Sequence, residues 1–124
     1  MMIVLFQSTQ GLRVVERDIA TALRDDCHDV LVPDLRRQDG YAVIPDHVAV
    51  GVRASLHVAV GDRFAPANAI ATWRTAAAAQ GVDAEVHRCP DVGHFFTDPA
   101  SADYDKAAVQ TLSQRVRTFL RNAA

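Results

Sequence analysis

The sequence Asp91-Val92-Gly93-His94-Phe95-Phe96 lies between a short apolar segment, residues 84–87, and a long amphipathic segment, residues 103–121. The first segment is typical of a buried strand and the second of a helix. A glycine directly before His94 allows the chain to turn tightly, so that the imidazole projects from a loop at the end of the strand. The sequence therefore predicts a histidine at the carboxyl edge of a sheet, where open α/β proteins bind their ligands.

A second loop carries an acid. The sequence Gly61-Asp62-Arg63-Phe64-Ala65-Pro66 follows the preceding predicted strand, residues 56–60. An acid after one strand and a histidine after the next is how a parallel sheet presents an Asp–His pair at one edge. We expect Asp62 and His94 to be hydrogen-bonded to each other, because burying either side chain alone is costly.

The hydrophobic pattern alternates between strands and helices along the whole chain. Strands are predicted over residues 2–6, 30–32, 56–60 and 84–87, and long helices over residues 12–24, 66–80 and 103–121. Residues 34–46 read as a loop and residues 47–54 as a short helix. The inner side of the first helix is predicted to include Ala22, and that of the last helix Tyr104. This alternation predicts one α/β domain over residues 1–124, with three layers and a small parallel sheet between helices.

Composition excludes several classes of function. The chain has 124 residues, 49% of them hydrophobic, and a net charge of −2. It has no basic stripe for nucleic acid, no apolar segment that could span a membrane, and no His-x-x-x-His metal spacing. Its two cysteines are too few for a disulfide framework. We expect a cytoplasmic protein with no metal and no cofactor.

Four short motifs now indicate a family. In chain order they are Phe6-Gln7-Ser8 with Gly11-Leu12-Arg13, His28-Asp29-Val30 with Val32-Pro33-Asp34-Leu35, the Asp62 loop and the His94 loop. Together they resemble the dienelactone hydrolase family of the α/β-hydrolase superfamily. The resemblance implies that Asp62 is the acid and His94 the general base of a catalytic triad, and that residues 7–11 contribute to an oxyanion hole.

The sequence departs from that family at the nucleophile. The resemblance places a Ser or Cys between residues 35 and 56, but no Ser or Cys of this chain has Gly two residues before and after it. The chain therefore resembles a truncated member that lacks the strand–nucleophile–helix segment. Closing that gap predicts a four-stranded sheet in the order 2-1-3-4, with its switch point between strands 1 and 3.

Ser8 is the candidate replacement for the missing nucleophile. It lies on a predicted strand-to-helix turn, and the order Ser8, Asp62, His94 is that of α/β hydrolases. In this hypothesis Thr9, Gln10 and Gly11 wall the crevice, and backbone N–H groups of the turn stabilise an oxyanion. The alternative is that Ser8 only caps the following helix.

Three functions remain open at this stage. The first is hydrolysis of small carboxylic esters or lactones, through an acyl-enzyme or through water activated by His94. The second is an inactive hydrolase remnant that serves as a dimeric ligand-binding or structural protein, and the third is a domain whose nucleophile comes from another chain. A homodimer is expected in any case, because a small sheet leaves strand edges to cover. His57, His87, Cys89 and Trp73 are predicted to have packing or surface roles.

Overall fold

The computed structural model describes residues 2–4, 14–31 and 53–123. Their elements are β1 (Met2–Val4), α1 (Val14–Asp25), β2 (Asp29–Leu31), β3 (Arg53–Ala59), α2 (Ala67–Ala79), β4 (Asp83–Cys89) and α3 (Lys106–Ala123). Contacts divide the chain into two compact units, Met1–Val43 and Ile44–Ala124. Each unit is described by itself below.

The first unit contains a parallel β–α–β arrangement. β1 pairs with β2 so that Ile3 lies opposite Val30, and α1 packs against β2. The buried side of α1 carries Ala20 and Leu23 together with Glu16, whereas Ala22, predicted on the inner side, is exposed. The predicted strand–helix–strand unit is therefore confirmed, and among the described residues of the predicted inner side only Ala22 is exposed.

The second unit is built on a longer parallel pair. β3 and β4 are in register over seven residues, from Arg53 opposite Asp83 to Ala59 opposite Cys89. α2 connects the strands and packs on β4, and α3 packs on β3. The buried apolar residues of this unit come from all four elements and from the loop after β4: Val58, Ala59, Ile70, Cys89, Phe96 and Leu120.

The two helices of the second unit cover opposite faces of its sheet. Side chains of α2 and β4, among them Ala71 and Val86, line one groove. On the other face, Phe119 of α3 lies under the Arg53 guanidinium, 4.8 Å from ring centroid to Cζ. Because successive strand residues point to opposite faces, this gives a helix–sheet–helix arrangement. The predicted three layers are thus present in this unit.

Two predicted boundaries were wrong. Residues 53 and 54, predicted as helix, are the start of β3, because polar positions 53, 55 and 57 alternate with apolar 54, 56 and 58 in the period of a strand. α3 begins at Lys106 rather than at residue 103, because the Asp105 carboxylate accepts the Ala108 N–H at 2.9 Å and caps the helix there. Tyr104 precedes the helix and is exposed, so its predicted inner position was also wrong.

The structure confirms the two strand pairs of the predicted sheet, but not the contact between the pairs. β1–β2 and β3–β4 form two two-stranded parallel sheets among the described residues. The contact between strands 1 and 3 that completes the order 2-1-3-4 stays a prediction, as does the single domain. Residues 47–52 of the predicted short helix lie outside the described residues, and so do the ends of predicted strands 1 and 2. None of the helices in the described ranges has the length and apolarity needed to cross a membrane.

Candidate active site

Asp62 lies in a tight turn directly after β3. The Val60 N–H donates to the Cys89 carbonyl at 2.8 Å, which extends the β3–β4 ladder by one bond. Gly61 then takes a φ of +75°, a left-handed conformation that residues with a Cβ rarely adopt. Asp62 Oδ1 accepts the Phe64 N–H at 2.8 Å, which closes an Asx turn. A hydrogen bond within its own loop therefore orients the Asp62 carboxylate, in addition to any contact from another element.

The loop that carries His94 is fixed by the residues around it. A Cβ built on Gly93 would overlap the Asp103 carboxylate, so any larger residue at this position must displace that side chain. The Asp103 carboxylate in turn accepts the Phe95 N–H at 3.2 Å, and Phe96 is buried with 3% exposure. In this loop the left-handed residue is Asp91, with φ +58°, and not the glycine. The glycine is required for close approach, rather than for the turn that the sequence predicted.

The structure brings Asp62 and His94 together. Asp62 Oδ2 and His94 Nδ1 are 2.5 Å apart, with the acid side chain 4% exposed and the histidine side chain 34% exposed. Partial burial raises the pKa of Asp62, but the hydrogen bonds from His94 and from the Phe64 N–H outweigh it and hold that pKa below its usual value. An ionised carboxylate only accepts hydrogen bonds, so Nδ1 carries the proton and Nε2 keeps its lone pair.

The imidazole lies between two aromatic rings at the wall of a cleft. The Phe64 ring is 4.8 Å from the His94 ring at an angle of 49°, and the Phe95 ring is 4.5 Å away at 78°. The cleft has a volume of about 370 Å³, within the range typical of small-molecule sites. Its walls are formed by the ends of the two strands and the loops that follow them: residues 59–64, 92–95 and 103.

A histidine that lines a cleft and whose Nδ1 is bonded to a buried carboxylate has the arrangement of the acid–base half of a hydrolase triad. Comparison with models of protein families matches residues 44–124 to the dienelactone hydrolase family. The chain belongs to the dienelactone hydrolase family. The match has the same bounds as the second compact unit and contains both Asp62 and His94. A search of curated proteins finds no match.

Family membership confirms the resemblance that the motifs indicated and implies an α/β-hydrolase fold. The family match does not extend to residues 1–43, where the sequence predicted a nucleophile and an oxyanion hole. Ser8, Thr9, Gln10 and Gly11 lie outside the described residues. Within residues 53–123, no serine hydroxyl or cysteine thiol is hydrogen-bonded to His94. Asp62 and His94 are thus hydrogen-bonded to each other as predicted, and the catalytic roles of Asp62, His94 and Ser8 stay predictions.

A second group of polar side chains lies on the face of the sheet that α3 covers. Ser55 Oγ is 3.0 Å from His57 Nε2 and donates to Glu85 Oε1 at 3.1 Å. His87 Nε2 is 2.9 Å from the same carboxylate oxygen, and the rings of His57 and His87 stack at 4.8 Å. Sequence reasoning treated these histidines separately. Their alternation on two strands in parallel register could have shown that they meet.

This group differs from a catalytic triad in its proton arrangement. The Ser55 hydroxyl donates its hydrogen bond to Glu85, so His57 Nε2 must be the donor in its own bond with Ser55. His57 therefore cannot act as the base for that hydroxyl. His57 Nδ1 is then a buried acceptor with no partner in the described structure. Burial, reinforced by the positive charges of His87 and Arg115 and opposed by Glu85, lowers the pKa of His57 to about 4. The group is a structural network under α3.

Cys89 also lies on the face covered by α3. Its thiol is buried, 4.0 Å from Nη1 of Arg115, which agrees with the packing role predicted for it. Trp73, predicted to pack against the sheet or a partner, is partly exposed on α2. Among the described residues, no three His, Cys, Asp or Glu side chains are grouped as metal ligands.

Proposed function

We propose that this chain hydrolyses small carboxylic esters or lactones, with His94 as general base and Asp62 as the acid that orients it. The observation that carries the proposal is the bond from His94 Nδ1 to Asp62 Oδ2, at a residue that lines a cleft of about 370 Å³. Because Asp62 engages Nδ1, Nε2 is the nitrogen that would act as the base. Membership of the dienelactone hydrolase family supports a hydrolase. A cleft of this size favours a small substrate.

The reaction needs a nucleophile that Nε2 can deprotonate. In the proposed step, Nε2 takes a proton from a water molecule as its oxygen attacks the ester carbonyl. The resulting imidazolium is stabilised by the Asp62 carboxylate and then gives the proton to the departing alcohol or, in a lactone, to the ring oxygen. This route needs no residue beyond those that the structure describes.

Ser8 offers a second route to the same products. Its hydroxyl would attack the carbonyl, with His94 accepting the proton, and the acyl-enzyme would then be hydrolysed by water. Thr9, Gln10 and Gly11 would line the oxyanion site. The chain order of the three residues supports this route, and a Ser8→Ala variant separates it from the first. In Ser8→Ala the two-step route can no longer form its acyl-enzyme, which mass spectrometry would detect in the wild-type protein. Direct attack by water would continue in the variant.

The test is turnover of 4-nitrophenyl acetate by the purified chain. We expect steady hydrolysis above the buffer rate, reduced by about 10²–10⁴-fold in His94→Gln, because general-base catalysis contributes that much. His28→Gln is the matched control, since His28 is not among the described residues that line the cleft, and this variant should hydrolyse at the wild-type rate. Equal rates for wild type and His94→Gln would contradict the proposal, and a wild-type rate equal to that of the buffer would favour an inactive, ligand-binding remnant.

A further inference from the structure

Phe64 is a large apolar side chain that the fold does not bury. It is 63% exposed, although it follows β3 by only a few residues. An exposed phenylalanine contributes little to the core, and what distinguishes Phe64 is what it contacts. Both its backbone and its ring contact the proposed catalytic pair. The backbone N–H donates to Asp62 Oδ1, and the ring lies 4.8 Å from the His94 imidazole.

These two contacts act on different members of the pair. The N–H bond fixes the carboxylate so that its other oxygen, Oδ2, faces His94 Nδ1. The ring covers one side of the imidazole, and Phe95 covers another in an edge-on arrangement. Because His94 is on a loop and partly exposed, these rings restrict its rotation and reduce the access of water to its bond with Asp62. Arg63, whose Cζ lies 4.7 Å from the centroid of Phe64, holds that ring from outside.

We propose that Phe64 is a positioning residue, which couples the acid and the base of the site through one side chain and one backbone bond. The inference rests on the proposed hydrolase function for its kinetic consequence, but the positioning itself concerns His94 and Asp62 alone. Phe64 touches no reacting atom in this account. Its effect on the reaction passes through the orientation of the imidazole.

A side-chain substitution isolates the contribution of the ring, since the backbone N–H bond to Asp62 remains. In Phe64→Ala we expect kcat for 4-nitrophenyl acetate to fall about tenfold, because a loosely held base spends less time in the reactive geometry. We expect KM to change little, and Phe64→Tyr to restore kcat. Since Phe64 is exposed, the variant should fold, and its thermal unfolding should stay close to that of wild type. Trp73→Ala, which removes a partly exposed ring from α2, is the control for loss of an aromatic side chain that does not line the cleft.

A second measurement does not depend on catalysis. The proton on His94 Nδ1 gives a downfield NMR signal, assigned by its loss in His94→Gln, and its exchange with water reports how well the bond to Asp62 is protected. We expect faster exchange in Phe64→Ala and wild-type exchange in Phe64→Tyr and Trp73→Ala. Unchanged exchange in Phe64→Ala would overturn the inference, including where KM rises, because Phe64 would then contact only the substrate. A wild-type protein without esterase activity would contradict the proposed function, and the exchange measurement would still test the positioning.

Discussion

The position before His94 shows how one residue constrains the site. Gly93 has no room for a side chain, because Asp103 fills the space that a Cβ would occupy while its carboxylate holds the Phe95 N–H. The orientation of the His94 loop therefore depends on a contact with a residue ten positions later. Sequence alone marked the glycine as a turn former, since the proximity of Asp103 is a property of the folded loop.

Gly93→Ala tests this close contact. The new methyl group must displace the Asp103 carboxylate, so we expect the free energy of unfolding to fall by about 1–3 kcal/mol, as is typical of overpacking. Urea denaturation measures the change. In an Asp103→Ala background the clashing atoms are gone, and the same glycine substitution should cost much less. Equal costs in both backgrounds would show that Asp103 does not restrict position 93.

At the scale of elements, the sequence predicted the parallel strands, the three long helices and the two loops that carry Asp62 and His94. Those predictions succeeded because hydrophobic periodicity and Pro66 or Gly81 at the ends of α2 are local properties of the chain. The start of α3 was misplaced because Asp103 and Asp105 both look like first-turn acids, and only Asp105 caps the helix. The network of Ser55, His57 and Glu85 was missed because it depends on the register between two strands.

The same network predicts a pH dependence of stability. His57 has a pKa of about 4 in the fold against an ordinary value of 6.5, so the unfolded chain binds more protons between these values. The contribution of neutral His57 to the free energy of unfolding is therefore complete above pH 6.5. It is lost as the pH falls towards 4, and the free energy of unfolding changes by no more than about 1.4 kcal/mol per pH unit. The measurement is the free energy of unfolding of wild type and His57→Gln between pH 4 and 7.

We expect the difference between these two proteins to narrow as the pH falls through that window. The pKa values of Glu85 and Asp62 are both lowered, so the stability that these acids provide is lost as the pH falls below their ordinary values. That loss is expected in both proteins and cancels in the comparison. His28→Gln should follow the wild-type curve. A difference between wild type and His57→Gln that is independent of pH would mean that His57 is not held neutral by the fold.

At the scale of the molecule, the family match and the second compact unit have the same bounds, residues 44–124. This unit contains Asp62, His94 and the cleft, and its sheet has two strands in the described residues. A small sheet has edge strands whose backbone groups proteins usually pair or cover. The sequence could place the acid and base in this unit because they follow consecutive strands. It could not settle the nucleophile, which depends on contacts between distant parts of the chain.

We predict a homodimer, because a small parallel sheet has edge strands that a second copy of the chain can pair with. A second copy of the chain provides strands of the same length and register, so pairing of edges closes the sheet symmetrically. Light scattering coupled to size-exclusion chromatography should give twice the mass of one chain, and dilution should shift the equilibrium towards the monomer. A mass of one chain at every concentration would contradict this prediction without affecting the proposed chemistry.

The proposed reaction requires Asp62 to make His94 a competent base, and Asp62→Asn removes the carboxylate on which that base depends. The amide is nearly the same size as the carboxylate, but it can neither stabilise the imidazolium nor fix the same tautomer. We predict that kcat for 4-nitrophenyl acetate falls by about 10²–10⁴-fold. Asp83→Asn, which alters an exposed acid paired with Arg53 at the other end of the strands, should keep the wild-type rate. Wild-type turnover by Asp62→Asn would contradict the account.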